Sequence, residues 1–156
     1  MRKLESMLVA SVLLTLVPGL ALADGSGKHS HTHGAGEPGK PSEVMRTVEV
    51  LMNDRMRFEP ASVTVKRGEV IRFVVRNVGE QPHEFILGTQ KEIRDHHIEM
   101  KKHPEMEHDD PNAVSLDPGK SGEIIWKFTA AGVFQFACLK PGHLEAGMVG
   151  SLTVRR

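Results

Sequence analysis

From residue 44 onward apolar residues recur at alternate positions, the pattern of strands that bury one face. Val48, Val50 and Met52 share a face, as do Val63 and Val65, and Ile71, Phe73 and Val75 alternate with Arg72, Val74 and Arg76. Turn signals separate these runs at Glu59-Pro60, at Arg67-Gly68 and over Asn77-Val78-Gly79-Glu80-Gln81-Pro82. Further on, Ile124, Trp126 and Phe128 alternate, Ala131-Gly132 turns the chain, and Phe134 and Phe136 resume the alternation. About seven short strands with frequent turns predict an all-β fold, an antiparallel β-sandwich.

Two stretches break the period of two. Thr89 to Asn112 is charged and lacks alternation; Pro104 closes its first part, so the spacing predicts a short helical insertion over 89–103, before the C-terminal strands. On that helix His96, Met100 and His103 fall at i, i+4 and i+7 and form one stripe, with Met106 and His108 following. Such a stripe commonly reflects packing and surface polarity, yet Met suits Cu(I) and His suits Cu(II), which makes these five residues a candidate secondary copper patch.

The other stretch is the N-terminus. Arg2 and Lys3, an apolar run from Met7 to Val17, Pro18-Gly19 and the small-residue end Ala21-Leu22-Ala23 have the three-part design of a secretory signal peptide over 1–23, cleaved near Ala23. An uninterrupted membrane span needs about 20 apolar residues, and Pro18-Gly19 interrupts this run well before that, so stable membrane insertion is not expected. Residues 24–43 are rich in Gly, Ser, Pro and His with little to bury, and are expected to form a disordered tail. His29, His31 and His33 alternate within it and are further candidate ligands for weakly held copper or zinc.

Charge changes the picture little. Lys plus Arg and Asp plus Glu both number 20, so no basic excess points to nucleic acid or an anionic membrane as partner. Cysteine changes it more. The chain has one cysteine, Cys138, and an exported protein normally pairs its cysteines. It is therefore an intermolecular link, a free reactive thiol or a metal ligand, and only the last makes use of its neighbours.

Those neighbours are Phe136-Ala137-Cys138-Leu139-Lys140-Pro141-Gly142-His143-Leu144-Glu145-Ala146-Gly147-Met148. The spacing C-x4-H-x4-M places a thiolate, an imidazole and a thioether in one short loop, the soft donors that bind copper in both oxidation states. A Cys-and-two-His set with a weak Met is the ligand set of electron-transfer copper sites, so a second His is required from elsewhere, and His83 is the best placed. Parity links the four to the fold. Cys138 continues Phe134 and Phe136, His83 shares parity with Phe85 and Leu87, and Met148 with Leu152 and Val154, so all are expected at strand ends on the core side.

The loop, His83 and the flanking strands resemble the cupredoxins, the type 1 or blue copper proteins, over residues 44–156. The His/Met-rich insertion resembles that of periplasmic cupredoxins linked to bacterial copper tolerance. The resemblance implies a cupredoxin-like, Greek-key β-sandwich, with Cys138 supplying a short thiolate bond, His83 and His143 the equatorial imidazoles and Met148 a long axial contact. It implies one type 1 copper cycling between Cu(I) and Cu(II), periplasmic one-electron transfer and a tie to copper tolerance. The alternative is a copper-buffering or copper-chaperone protein that uses the tail and the insertion.

An enzyme is not expected, because four protein ligands leave no open coordination position. A Cys138 and His143 nucleophile pair lacks an orienting third group and leaves Met148 unexplained. The expected partner is a redox protein or a copper-handling protein, and the expected state is a monomer.

Overall fold

Alternation resolves into two five-stranded sheets laid face to face. The computed structural model describes residues 33–103 and 110–156. In chain order the elements are β1 (Glu37–Pro38), a 3-10 turn (Pro41–Glu43), β2 (Arg46–Asn53), β3 (Arg57–Glu59), β4 (Ser62–Lys66), β5 (Val70–Asn77) and β6 (His83–Gly88). Then come α1 (Gln90–Lys102), β7 (Ala113–Leu116), β8 (Ser121–Lys127), β9 (Gly132–Ala137) and β10 (Val149–Arg155). One sheet has the order β1-β8-β5-β2-β3 and the other β4-β10-β9-β6-β7. This is the expected all-β sandwich with one short helix.

The core lies between the sheets. Val50, Met52, Ile71, Phe73 and Val75 from one side meet Phe85, Leu87, Phe136 and Leu152 from the other, all fully buried. Aromatic rings set much of the contact: Phe85 stacks on Phe136 with centroids 5.2 Å apart, and Phe58 meets Phe136 edge-on at 5.1 Å. Cys138 and Met148 belong to this same cluster.

Most pairings are antiparallel, but β2 runs parallel to β5 and β10 parallel to β4. Side chains alternate identically in both arrangements, so the period of two does not distinguish them. Three strands lie outside the alternating runs. β1, β3 and β7 have two, three and four residues, too few for a period to register.

The helix forms where the charged run predicts it. Thr89 caps it: the Thr89 hydroxyl accepts from the Glu92 amide and the Glu92 carboxylate accepts from the Thr89 amide, a reciprocal capping box. Ile93 is its one fully buried residue, and His96, His97 and Met100 are half-buried on the same side.

The expectation of an unpacked tail is corrected over residues 33–43. Ala35 is fully buried, β1 adds to the edge of β8 through Glu37 and Lys127, and the Gly39 amide donates to the Ile125 carbonyl at 2.9 Å. Gly36 makes this docking possible. Its φ is +141°, and a Cβ there would sit 2.0 Å from the Lys127 carbonyl oxygen. Composition misled because the segment has few apolar side chains to bury, whereas β8 offers an open edge of backbone donors and acceptors. The expected signal peptide over 1–23, and His29, His31, Met106 and His108, lie outside the described residues. No helix among the described residues is long and apolar enough to cross a membrane.

Candidate metal centre

At one end of the sandwich β6 begins, β9 ends and β10 begins, and this geometry delivers the four candidate ligands. His83 is the first residue of β6; Cys138 follows the last residue of β9; Met148 precedes the first residue of β10. The Cys138 amide donates to the Met148 carbonyl at 3.1 Å, continuing the β9–β10 ladder by one step. Within the loop the Met148 amide donates to the His143 carbonyl at 2.9 Å and the His143 amide to the Lys140 carbonyl at 3.0 Å. Gly142, at φ +83°, allows the chain to turn back at that point.

The donor atoms converge. One ligand atom each from His83, Cys138 and His143 lies within 4.8 Å of the others, the one such group of metal-binding side chains among the described residues. His83 Nδ1 and His143 Nδ1 are 3.2 Å apart, and Cys138 Sγ is 3.3 Å from His143 Nδ1. His83, Cys138 and Met148 are fully buried, whereas His143 keeps an exposed edge.

The electrostatics suit a soft cation. Burial pushes the Cys138 thiol up to about 11, against the smaller opposing pull of the Lys140 and Glu84 amides; the Glu84 N–H donates to Sγ at 3.3 Å. Burial, then the nearby His83, hold His143 below the ordinary imidazole value, which keeps it neutral with a lone pair to give. A positive ion at the convergence point would favour loss of the thiol proton. Two imidazole nitrogens and a sulfur, with a buried thioether beside them, fit one type 1 copper site.

A contact that motif reading missed lies behind His83. Asp54, in the turn after β2, places Oδ1 3.0 Å from His83 Nε2 and accepts the Glu80 amide at 2.7 Å and the Gln81 amide at 3.3 Å. The Glu80 amide is the main influence that holds its carboxyl below the usual range, with His83 and Gln81 adding to it. By sequence Asp54 is an ordinary turn residue. Only in the folded structure does Gly79 approach it so closely that a Cβ would meet Oδ1 at 2.1 Å.

The secondary candidates lie elsewhere. His33 and His96 line one cavity of about 550 Å³ together with Glu92, Asp95, Glu99 and Asp110. The His33 ring also packs edge-on against Trp126 at 5.5 Å. His103 is half exposed, 3.5 Å from Glu99, and Met100 is half-buried on α1.

Comparison with known proteins agrees with this geometry. Residues 44–155 match the family described as copper binding proteins, plastocyanin/azurin family. The chain is 49% identical over 153 residues to the copper-resistant cuproprotein CopI of Rubrivivax gelatinosus, covering 94% of this chain and 93% of the relative. It is 37% identical over 155 residues to the CopI of Pseudomonas aeruginosa, covering 81% and 85%. Among solved structures, the reduced auracyanin of Roseiflexus castenholzii superposes with a TM-score of 0.64 at 23% identity, over 72% of this chain and 99% of that one. Auracyanin B superposes at 0.63 with 25% identity, over 80% and 96%.

Proposed function

The chain belongs to the plastocyanin/azurin family of copper binding proteins, and from that premise we propose that it carries single electrons through a copper held by His83, Cys138, His143 and Met148. The observation that carries this reading is the convergence of Cys138 Sγ and two imidazole nitrogens in a buried site framed by β6, β9 and β10. Copper bound there supplies the Cu(I)/Cu(II) couple.

The protein's part is to hold the donors still and keep water away. Cys138 would hold the copper as a thiolate, its proton released to solvent as the ion binds, and the Glu84 amide steadies the sulfur. The backbone bonds from Cys138 to Met148 and from Met148 to His143 fix the loop, so little needs to rearrange when charge changes. His143 has the edge nearest solvent, and electrons are proposed to enter and leave there. With four protein donors and no open position, the site is read as a carrier and not as an enzyme.

The names of the copper-resistant relatives support a role in copper tolerance, and the leader-like N-terminus supports a periplasmic location. A redox protein or a copper-handling protein is the proposed partner of a monomeric chain. The test is copper stoichiometry with an optical spectrum: one tightly held copper with intense thiolate-to-copper absorption is expected. Several coppers of equal affinity and no such band would overturn the carrier reading.

A second reading, copper buffering, is favoured by His33 and His96 lining one acidic cavity. Replacing His96, Met100, His103, Met106 and His108 with Ala is expected to lower the number of weakly bound copper ions and leave the visible band intact. Unchanged stoichiometry would remove the buffering role from the insertion.

A further inference from the structure

We propose that Asp54 is a positioning residue for the metal centre: its carboxylate sets the tautomer and orientation of His83 and strengthens that imidazole as a donor to Cu(II) in preference to Cu(I). The inference rests on the copper-site reading above and adds a residue from outside the ligand loop.

Geometry carries it. The two ring nitrogens of His83 face opposite environments: Nδ1 looks towards His143 Nδ1, while Nε2 lies 3.0 Å from Asp54 Oδ1. A carboxylate only accepts, so in the neutral ring the proton resides on Nε2 and Nδ1 presents its lone pair to the centre. Asp54 is itself held. Glu80 donates to Oδ2 at 2.7 Å and Gln81 to Oδ1 at 3.3 Å, so the carboxylate cannot turn away without abandoning backbone amides.

Its place in the fold adds a second constraint. Asp54 follows β2 in one sheet and His83 opens β6 in the other, so this contact crosses the sandwich at the site. The turn that presents Asp54 is closed by the Met56 amide donating to the Asn53 carbonyl at 3.0 Å and by the Arg55 amide donating to Asn53 Oδ1 at 3.1 Å. Close approach of Gly79 packs the loop directly against the carboxylate.

A negative charge behind an imidazole makes its far nitrogen a stronger donor, and a divalent ion gains more from that than a monovalent one. Asp54→Asn removes the charge and keeps one oxygen acceptor. It is expected to lower Cu(II) affinity about tenfold, in the range seen for outer partners of metal-bound histidines, with a smaller effect on Cu(I). The reduction potential should therefore rise, by up to about 59 mV, the shift for a full tenfold difference between the two states. Asp54→Ala, which also releases the ring, should weaken Cu(II) further and alter the visible and paramagnetic resonance spectra.

Copper titration, voltammetry and a denaturation curve of the metal-free protein are measured together for the unaltered chain and both variants. A potential unchanged in Asp54→Asn, with only the metal-free stability lowered, assigns Asp54 to the turn alone and overturns the proposal. If the unaltered chain takes up no copper, the functional reading fails first. Nitrogen NMR of metal-free His83 then still tests the contact, with the Nε2–H tautomer expected and the Nδ1–H tautomer contradicting it.

Discussion

His97 Nε2 lies 3.2 Å from a carboxylate oxygen of Glu145, so the helical insertion is tied to the loop between Cys138 and Met148. Lys101 reaches the same oxygen at 2.7 Å. The insertion therefore rests against the metal-binding loop instead of standing apart from it. Glu145→Gln should weaken this tie. Faster amide exchange across α1 is expected, with the copper band retained, because the ligands are fixed by β6, β9, β10 and the loop's own backbone bonds; unchanged exchange would show that the Glu145 contacts do not hold the helix.

Cys138→Ser should abolish the intense visible absorption, since the band requires a copper–thiolate bond. Folding should survive, because Ser is close to Cys in size, although a hydroxyl in this buried place costs about 1–3 kcal/mol without a partner. A variant that remains coloured would remove Cys138 from the site.

Met148→Leu is a near volume-conserving change in the core, expected to cost under about 1.5 kcal/mol. Copper should stay bound and the reduction potential should rise, because a weak donor on which Cu(II) depends more than Cu(I) is lost. Voltammetry with no shift would exclude the Met148 thioether as a ligand.

Gly36→Ala tests the docked N-terminal segment. At φ +141° and with the Lys127 oxygen in the way, any side chain strains the backbone, and a loss of about 2 kcal/mol is expected by denaturant unfolding. Deletion of 33–42 should likewise lower the melting temperature. An unchanged transition in both would show that β1 contributes nothing.

Acid should loosen the β4–β5 corner. Burial raises the Glu69 carboxyl, but the Arg46 side chain and the Lys66 amide outweigh it and hold the group below its ordinary value. A depressed folded value means that the contribution is complete above the ordinary carboxylate range and is lost as pH falls from there through the folded value. Glu69→Gln should remove about 1 kcal/mol at neutral pH and flatten this acid dependence. Parallel pH–stability curves for the two proteins would refute it.

Much of the sandwich was legible because burial imposes parity on a strand. Phe134, Phe136 and Cys138 had to share a face, as did His83, Phe85 and Leu87, whichever strands lay beside them. The loop was legible for a chemical reason: a lone cysteine followed by His143 and Met148 at short spacing has few uses other than metal binding. α1 announced itself through Thr89, Glu92 and the charged run, which are local signals. What the chain alone determined is thus what depends on neighbours a few residues away.

Tertiary structure decided the rest, because pairing between distant segments leaves no trace in a local pattern. The parallel pairings of β2 with β5 and β4 with β10 depend on backbone groups, and the docking of residues 33–43 on the edge of β8 adds to these the close approach that Gly36 permits. Asp54 is the sharpest case. Twenty-nine positions separate it from His83, and no spacing rule connects a turn aspartate to an imidazole at the start of another strand. Only when the two sheets close do these side chains meet, and that closure turns a turn residue into a partner of the metal centre.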